Sequence, residues 1–275
     1  MQEHTDTQQT ARLAGLLTDI AIRASAAILA VDFRKAGARQ KADDSPVTIA
    51  DAAAQAVILE GLARVAPGIP VVSEEALCDW QGKNAPQEFF LVDPLDGTAE
   101  FIAGRLEYTV NIALVRDGVP AIGVVAAPAL GLIWRGATGH RAERLGFMSS
   151  GIGAGPDIIH ARPWPPGERV AAVSRSHFDP VSATLLDRLA PIKTIESGSA
   201  IKFCRVAEGA ADVYPRLAPT SEWDVAAGHA LVVAAGGLVV APDGSELRYG
   251  RANEKFRVPG FITWGDSAAA QRFTR

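Results

Sequence analysis

The chain has 275 residues and is 48% hydrophobic, which predicts a globular protein with a sizeable core, either one large domain or two packed subdomains. Its 27 Lys and Arg residues against 31 Asp and Glu residues give a formal net charge of -4, which leaves no electrostatic footprint for non-specific nucleic-acid binding. The two cysteines, Cys78 and Cys204, have the spacing of neither a disulfide framework nor a zinc site, so we expect a reducing compartment.

The N-terminal region predicts one long amphipathic helix over residues 10–35, because apolar residues recur there at helical spacing. No basic segment precedes this region, and Asp19, Arg23 and Asp32 interrupt its apolar residues, so we expect neither a targeting segment nor a transmembrane helix. We therefore expect a cytoplasmic protein. A helix lying on the inner membrane is an alternative, but only a minor one, because such helices are rich in Lys and Arg on the polar face and this one is not.

Two interpretations are open for Asp51. Thr48 and Asp51 have the spacing of a capping box at the start of a helix predicted over residues 52–65. Asp is less usual than Glu or Gln at the third position of such a box, so a carboxylate that points into a site is the second interpretation.

Two further acidic residues, Glu74 and Glu75, follow a short apolar strand predicted over residues 68–72. They indicate either a surface loop or a functional site, because α/β proteins assemble their sites at strand ends. Glu74 is nearer the strand, and it is the better candidate for a side chain that points towards the carboxylates of the next strand.

The most informative stretch is Leu-Val-Asp-Pro-Leu-Asp-Gly-Thr at residues 91–98. A buried strand predicted over residues 89–92 stops at Pro94, which places Asp93 at its end, and the segment from Asp96 turns the chain. Two carboxylates three positions apart, beside free backbone N–H groups, suit a Mg²⁺ ion that holds a phosphate. A type I turn with two solvated aspartates is the alternative that this pattern alone leaves open.

The remainder of the chain predicts a hairpin, two linkers and a second α/β region. The β-rich runs 107–115 and 121–127 are joined by Asp-Gly, which is a hairpin signal. Linkers are predicted at 149–156 and 162–167, and strand and helix patterns alternate beyond them. We therefore expect an N-terminal α+β subdomain, residues 1–148, with most of the acidic candidates, and a C-terminal α/β subdomain, residues 149–275, with Asp224.

Three polar segments in this second half are candidates for the site, and each has a purely structural alternative. His177 follows a predicted strand and is either a site residue or a loop cap; Lys202 lies on a helix opened by Ser-Gly-Ser and is either a site residue or part of a solvated face. Asp224 again has capping-box spacing. If the acidic candidates converge, their mutual repulsion requires cations, which predicts a pocket for several Mg²⁺ ions. These candidates are Asp51, Glu74, Asp93, Asp96 and Asp224.

The order of these motifs resembles the inositol monophosphatase superfamily. The matching segments are Ser45-Pro46-Val47-Thr48-x-Ala50-Asp51, Ser73-Glu74-Glu75, Asp93-Pro94-Leu95-Asp96-Gly97-Thr98-x-Glu100-Phe101 and Trp223-Asp224-x-Ala226-Ala227-Gly228. Other segments are similar to the bacterial 3′(2′),5′-bisphosphate nucleotidases of the CysQ type. These are Tyr108-Thr109-Val110-Asn111-Ile112-Ala113-Leu114, Ser174-Arg175-Ser176-His177, Gly198-Ser199-x-x-Lys202-Phe203-Cys204 and Tyr214-Pro215-Arg216.

The resemblance implies a layered αβαβα sandwich and a Mg²⁺-dependent hydrolysis of the 3′-phosphate of adenosine 3′,5′-bisphosphate. It implies in-line attack by a metal-bound water with two or three Mg²⁺ ions per site, inhibition by Li⁺, and a role in sulfur assimilation. The implied metal ligands are Glu74, Asp93, the Leu95 carbonyl, Asp96 and Asp224. The implied residues for the water are Asp51 and Thr98, and those for the scissile phosphate are the N–H groups of Gly97 and Thr98. The implied contacts to the nucleoside and its second phosphate are Ser174, His177, Gly198 and Lys202.

One departure from the resemblance bears on specificity. Nucleotidases of this type commonly have Lys after Asp-Gly-Thr, whereas this chain has Ala99, with Arg105 as a substitute cation in the following loop. An inositol 1-phosphate or sugar phosphatase of the same superfamily is the alternative function, and a catalytically silent nucleotide-binding regulator is the remote one. A small-molecule nucleotide is the expected partner, and the sequence leaves monomer and homodimer both open.

Overall fold

A computed structural model of the chain describes residues 2–40, 46–76, 85–148, 151–153, 155–175 and 179–273. His177 and Cys78 lie outside these residues. The described residues form seven α-helices, namely α1 (Gln2–Leu29), α2 (Ile49–Val65), α3 (Thr98–Ile102), α4 (Pro180–Arg188), α5 (Ile201–Ala207), α6 (Glu222–Ala234) and α7 (Ser267–Phe273). None of the helices in this part of the chain is both long enough and apolar enough to cross a membrane.

Seventeen strands accompany these helices in the described residues. In chain order they are β1 (Arg39–Gln40), β2 (Pro46–Val47), β3 (Val71–Ser73), β4 (Glu88–Asp96), β5 (Thr109–Arg116), β6 (Val119–Ala127), β7 (Leu132–Ala137), β8 (Ala142–Met148), β9 (Gly151–Ile152), β10 (Asp157–Ile159), β11 (Arg169–Ser174), β12 (Ile192–Ser197), β13 (Val213–Arg216), β14 (Thr220–Ser221), β15 (Leu238–Val240), β16 (Arg257–Val258) and β17 (Phe261–Trp264).

Most strands belong to two sheets. Sheet 1 has the order β10-β8-β7-β6-β5-β4-β3, with β9 paired to β8, and it is antiparallel except for the parallel pair β3–β4. Sheet 2 has the order β12-β11-β13-β17-β15 and mixes parallel and antiparallel pairs. The two short pairs β1–β2 and β14–β16 stand apart from both sheets.

The packing of these elements gives five layers. Helices α1 and α2 pack on one face of sheet 1, α6 packs on its other face, and sheet 2 carries α5 and α6 on one side and α4 and α7 on the other. The strand β4 is apolar on both faces because it lies between two helical layers: Phe90 and Val92 face α1 and α2, whereas Phe89 and Leu91 face α6. The expected αβαβα sandwich is thereby confirmed.

Close approach of α6 to sheet 1 depends on a glycine in β6. A Cβ atom on Gly123 would lie 2.1 Å from the backbone oxygen of Ala227, so a larger residue there would push the helix away from the sheet. Since α6 begins with Asp224 in its first turn, this contact helps to set where that carboxylate lies.

Some local features differ from the sequence expectations. Helix α1 ends at Leu29, before residue 35, because the Asp32 side chain accepts the Arg34 N–H and starts a separate turn of 3-10 helix. The predicted hairpin is confirmed, since Asp117 and Gly118 both have positive φ, as a type I′ turn requires. Part of the segment expected to be a flexible connection forms β9, which pairs with β8. Division of the chain into subdomains at residue 148 stays a prediction.

Candidate active site

A cavity of about 270 Å³ lies where the ends of strands from both sheets meet the starts of α3, α5 and α6. Its walls include Pro46, Glu74, Asp93, Leu95, Asp96, Gly97, Thr98, Ala99, Glu100, Ser174, Gly198, Ser199, Lys202, Phe203, Tyr214, Arg216, Thr220, Asp224, Val225 and Phe261. Ten of the predicted site residues therefore line one cavity, while Asp51 joins them through Thr98. The roles assigned to them stay predictions.

An irregularity in the pairing of β4 with β5 brings Asp93 and Asp96 to the same side of sheet 1. Asp93 lies opposite Asn111 and Asp96 lies opposite Thr109, so three steps along β4 match two steps along β5. In a regular strand, residues three apart point to opposite faces, and the extra residue of a bulge corrects this. Both carboxylates consequently face the α6 side, whereas Leu95 between them packs against the α1 and α2 layer.

The environment of these carboxylates is electrostatically unfavourable without a cation. Burial raises the pKa of Asp93 well above its ordinary value, and the negative charges of Glu74, Asp96 and Asp224 raise it further. Burial and the charge of Asp224 also raise the pKa of Asp96, while its hydrogen bonds from Ser199 and Asn111 oppose the shift. Hard carboxylate oxygens that repel one another in a buried site suit Mg²⁺, so the donor set fits this metal.

The carboxylates are engaged by donors of their own loops. Asp93 accepts the Leu95 N–H at 3.0 Å, and Asp224 accepts the Ser221 N–H at 3.1 Å together with the Thr220 hydroxyl. In the described ranges, no three His, Cys, Asp or Glu side chains are close enough together to form a ready-made metal cluster. A bound cation would have to compete with these hydrogen bonds for the carboxylate oxygens.

The structure confirms the capping interpretation of Asp51, and its role in a site stays a prediction. Its Oδ2 accepts the N–H and the hydroxyl of Thr48, each at 2.7 Å, which completes the predicted capping box at the start of α2. Its Oδ1 accepts the hydroxyl of Thr98 at 3.0 Å. Asp51 is almost fully buried, and Thr98 lines the cavity, so the cap orients a carboxylate behind a hydroxyl that faces the site.

The turn after β4 places Gly97 and Thr98 in the cavity wall. Gly97 has φ +93, a conformation that favours glycine, and it is the residue that precedes α3. The first N–H groups of a helix have no acceptor within the helix. The predicted use of the Gly97 and Thr98 N–H groups for a phosphate is consistent with their place in the cavity wall.

Two cations lie on the wall formed by α5 and sheet 2. Lys202 is only 3% exposed, which excludes the solvated helix face that the sequence left open. Its Nζ donates to the backbone oxygens of Ser199 at 2.5 Å and Ser197 at 3.3 Å, and it lies 5.3 Å from the centre of the Tyr214 ring. Burial lowers the pKa of Lys202 to about 8, although the charge of Asp96 opposes the shift.

The second cation, Arg216, was absent from the sequence-based set of site residues. It lies at the end of β13 and lines the cavity, and its buried Nε has no hydrogen-bond acceptor among the described residues. The signal that could have identified Arg216 in the sequence was the Tyr-Pro-Arg segment, which is part of the family resemblance. Arg105, the candidate substitute for the missing lysine, instead forms an ion pair with Glu100, with 3.9 Å between its Nη1 and the Glu100 Oε1. Ala99, which stands in place of that lysine, does line the cavity.

Comparison with known proteins agrees with this arrangement. The Inositol monophosphatase family model matches residues 10–265, and the chain belongs to this family. It is an enzyme, a phosphatase.

Several relatives carry a more specific name. A Salmonella typhimurium protein named 3′(2′),5′-bisphosphate nucleotidase CysQ is 46% identical over 222 residues, which cover 81% of this chain and 86% of the relative. The Escherichia coli (strain K12) protein of the same name is 43% identical over 221 residues, with 80% and 86% covered. The solved structure of CysQ from Bacteroides thetaiotaomicron superposes with a TM-score of 0.79 at 36% identity, covering 92% of this chain and 97% of that one.

Proposed function

We propose that this phosphatase removes the 3′-phosphate of adenosine 3′,5′-bisphosphate and releases AMP and phosphate. The observation that carries the proposal is the presence of both charge types in one cavity: carboxylates of sheet 1 and of the first turn of α6 line one part of its wall, whereas Lys202 of α5 and Arg216 of sheet 2 line another. A nucleotide with two phosphates matches both walls, because one phosphate requires the metal ions and the other requires cationic side chains. The names of the relatives support the same substrate.

The metal ligands in this proposal are Glu74, Asp93, the Leu95 carbonyl, Asp96 and Asp224, which would hold two or three Mg²⁺ ions. The inositol monophosphatase family is metal-dependent, and the raised pKa values of Asp93 and Asp96 express the repulsion that a cation relieves. When bound, Mg²⁺ neutralises phosphate oxygens and lowers the pKa of water.

The attacking water would lose its proton to the pair formed by Thr98 and Asp51. Because the Thr98 hydroxyl donates to Asp51 Oδ1, its lone pairs are available to accept a hydrogen bond from a water in the cavity. As that water attacks phosphorus, its proton moves to Thr98 Oγ1 and the hydroxyl proton moves to Asp51 Oδ1. The Thr48 cap keeps the carboxylate from rotating away.

The remaining residues would bind and orient the substrate. We assign the scissile phosphate to the N–H groups of Gly97 and Thr98, and the nucleoside with its second phosphate to Ser174, His177, Gly198 and Lys202. Arg216 joins this second group, because its Nε lacks an acceptor among the described residues and an anionic ligand would supply one. Removal of adenosine 3′,5′-bisphosphate would place the enzyme in sulfur assimilation.

A phosphate-release panel with Mg²⁺ tests the proposal. It includes adenosine 3′,5′-bisphosphate, 3′-phosphoadenosine 5′-phosphosulfate, inositol 1-phosphate, fructose 1,6-bisphosphate and 5′-AMP, and we expect the highest kcat/KM for the bisphosphate nucleotide. Ala99, at the position of the usual lysine, is the observation that favours an inositol or sugar phosphatase instead. Faster turnover of inositol 1-phosphate would establish that alternative, and no turnover of any substrate would indicate a binding protein.

A further inference from the structure

The loop between α3 and β5 reaches across the cavity rim to the segment that follows β12. Glu107, whose side chain is 18% exposed, accepts the Gly198 N–H at 3.1 Å and forms an ion pair with Arg175. Arg175 follows β11 and lies within 3.7 Å of the Glu196 carboxylate. One carboxylate from the sheet 1 half is therefore bonded to two loops that extend from sheet 2.

The contact also involves the backbone. A Cβ atom on Gly198 would lie 2.4 Å from the backbone oxygen of Glu107, so no other residue fits at position 198 without displacing one of the two loops. The carboxylate bond and the close backbone approach act at the same place, and together they fix where Gly198 lies relative to the end of β4.

The segment held in this way determines the position of the buried cation. The backbone oxygens of Ser197 and Ser199, on either side of Gly198, are the two acceptors of the Lys202 ammonium. The Ser199 hydroxyl donates to the backbone oxygen of Asp96 at 2.9 Å and lies 2.6 Å from the Thr109 hydroxyl. A shift of residues 197–199 would therefore move Lys202 relative to the carboxylates.

We propose that Glu107, itself oriented by Arg175, is a positioning residue that sets the separation between the carboxylate wall and Lys202, and so selects substrates that carry a second phosphate. The inference rests on the proposed function and deepens it. Glu107 does not line the cavity formed by the described residues, so it acts through Gly198 rather than by touching substrate.

The kinetic test compares Glu107→Ala and Glu107→Gln with Glu143→Gln, which removes one charge from the Glu143–Arg135 pair on sheet 1. For Glu107→Ala we expect KM for adenosine 3′,5′-bisphosphate to rise by about tenfold, with kcat and the kcat/KM for 3′-AMP near wild type. Glu107→Gln keeps an oxygen that can accept the Gly198 N–H and should recover part of the loss. Equal losses for the two substrates, or the same loss in Glu143→Gln, would show that Glu107 is only structural.

Amide hydrogen exchange separates this inference from the substrate assignment. In Glu107→Ala without any ligand, we expect faster exchange in peptides that cover residues 196–202, with β5 and β6 unchanged. Unchanged exchange in residues 196–202 would overturn the positioning role whatever the substrate is. If exchange increases but the wild-type enzyme does not hydrolyse the bisphosphate, the substrate assignment fails and the loop contact stands.

Discussion

Thr98 Oγ1 lies 3.0 Å from Asp51 Oδ1, although the two residues are 47 positions apart and lie in the first turns of different helices. The same carboxylate caps α2 through its other oxygen, so a feature of local helix structure also orients a group behind the cavity wall. The capping role and the proposed catalytic role of Asp51 can be separated by experiment. The cap requires only a hydrogen-bond acceptor, whereas the catalytic role requires a base.

Asp51→Asn should abolish most catalysis with little loss of stability. An amide oxygen can still accept the cap hydrogen bonds but cannot take the proton, so we expect kcat to fall by about 10²- to 10⁴-fold. The free energy of unfolding should fall by no more than about 1 kcal/mol, the usual worth of a helix cap. Steady-state kinetics and urea unfolding measure the two effects. A kcat within threefold of wild type would remove Asp51 from the proposed mechanism.

Activity should depend strictly on Mg²⁺. Burial and neighbouring carboxylates raise the pKa values of Asp93 and Asp96, and a bound cation would relieve this repulsion. Asp96→Asn should abolish turnover, and without metal it should be at least as stable as wild type because one negative charge is removed from the cluster. Thermal unfolding with EDTA and with Mg²⁺ is the measurement, and we expect Mg²⁺ to raise Tm in wild type more than in the variant. Substantial activity after exhaustive EDTA treatment would contradict the metal assignment.

Lys202→Met should weaken recognition of the bisphosphate selectively. The methionine keeps most of the length of the side chain but removes a charge-assisted contact worth about 1.5–3 kcal/mol, so kcat/KM for adenosine 3′,5′-bisphosphate should fall by about 10- to 150-fold. Hydrolysis of 3′-AMP should change little, because the lost contact is to the non-scissile phosphate. Arg205→Gln, on the same helix and paired with Glu208, is the matched control. If Lys202→Met slows both substrates equally, Lys202 has a structural role only.

Recognition of the bisphosphate should also weaken at alkaline pH. Burial lowers the pKa of Lys202 to about 8, so the ammonium is present below that pH and is lost as the pH rises through it. The ratio of kcat/KM for adenosine 3′,5′-bisphosphate to that for 3′-AMP should therefore decline with an apparent pKa near this value. Measuring both substrates in the same buffers cancels effects on the shared hydrolytic step. A ratio that stays constant from pH 7 to pH 10 would show that no group with a pKa near 8 controls the preference for the second phosphate.

Local sequence signals predicted the parts of the site that local structure builds. The capping spacing of Thr48 with Asp51 follows from propensity and hydrogen-bond chemistry within a few residues. The strand expected to stop at Pro94 instead continues to Asp96, because an irregularity in its pairing with β5 accommodates the proline. The layered sandwich came from the family resemblance, since alternating helix and strand patterns define only the fold class.

The remaining features depend on contacts between distant segments. The sequence left Lys202 open between a site residue and part of a solvated helix face, because helical spacing alone does not show which face a second sheet covers. The structure buries it. The contact of Glu107 with Gly198 joins positions 91 residues apart, and nothing in either segment marks the other. The free Nε of Arg216 likewise becomes visible only when the cavity around it is formed.

The irregularity in β4 makes the spacing of this strand as important as its side chains. Inserting one residue into β5 between Thr109 and Asn111 would let β4 pair regularly, and because residues three apart in a regular strand point to opposite faces, Asp96 would turn towards the layer of α1 and α2, even though every carboxylate is still present in the sequence. The same insertion in a surface turn would move no site residue. Members of this family that differ in length within this short segment should therefore be examined for loss of metal binding, however well their acidic residues align.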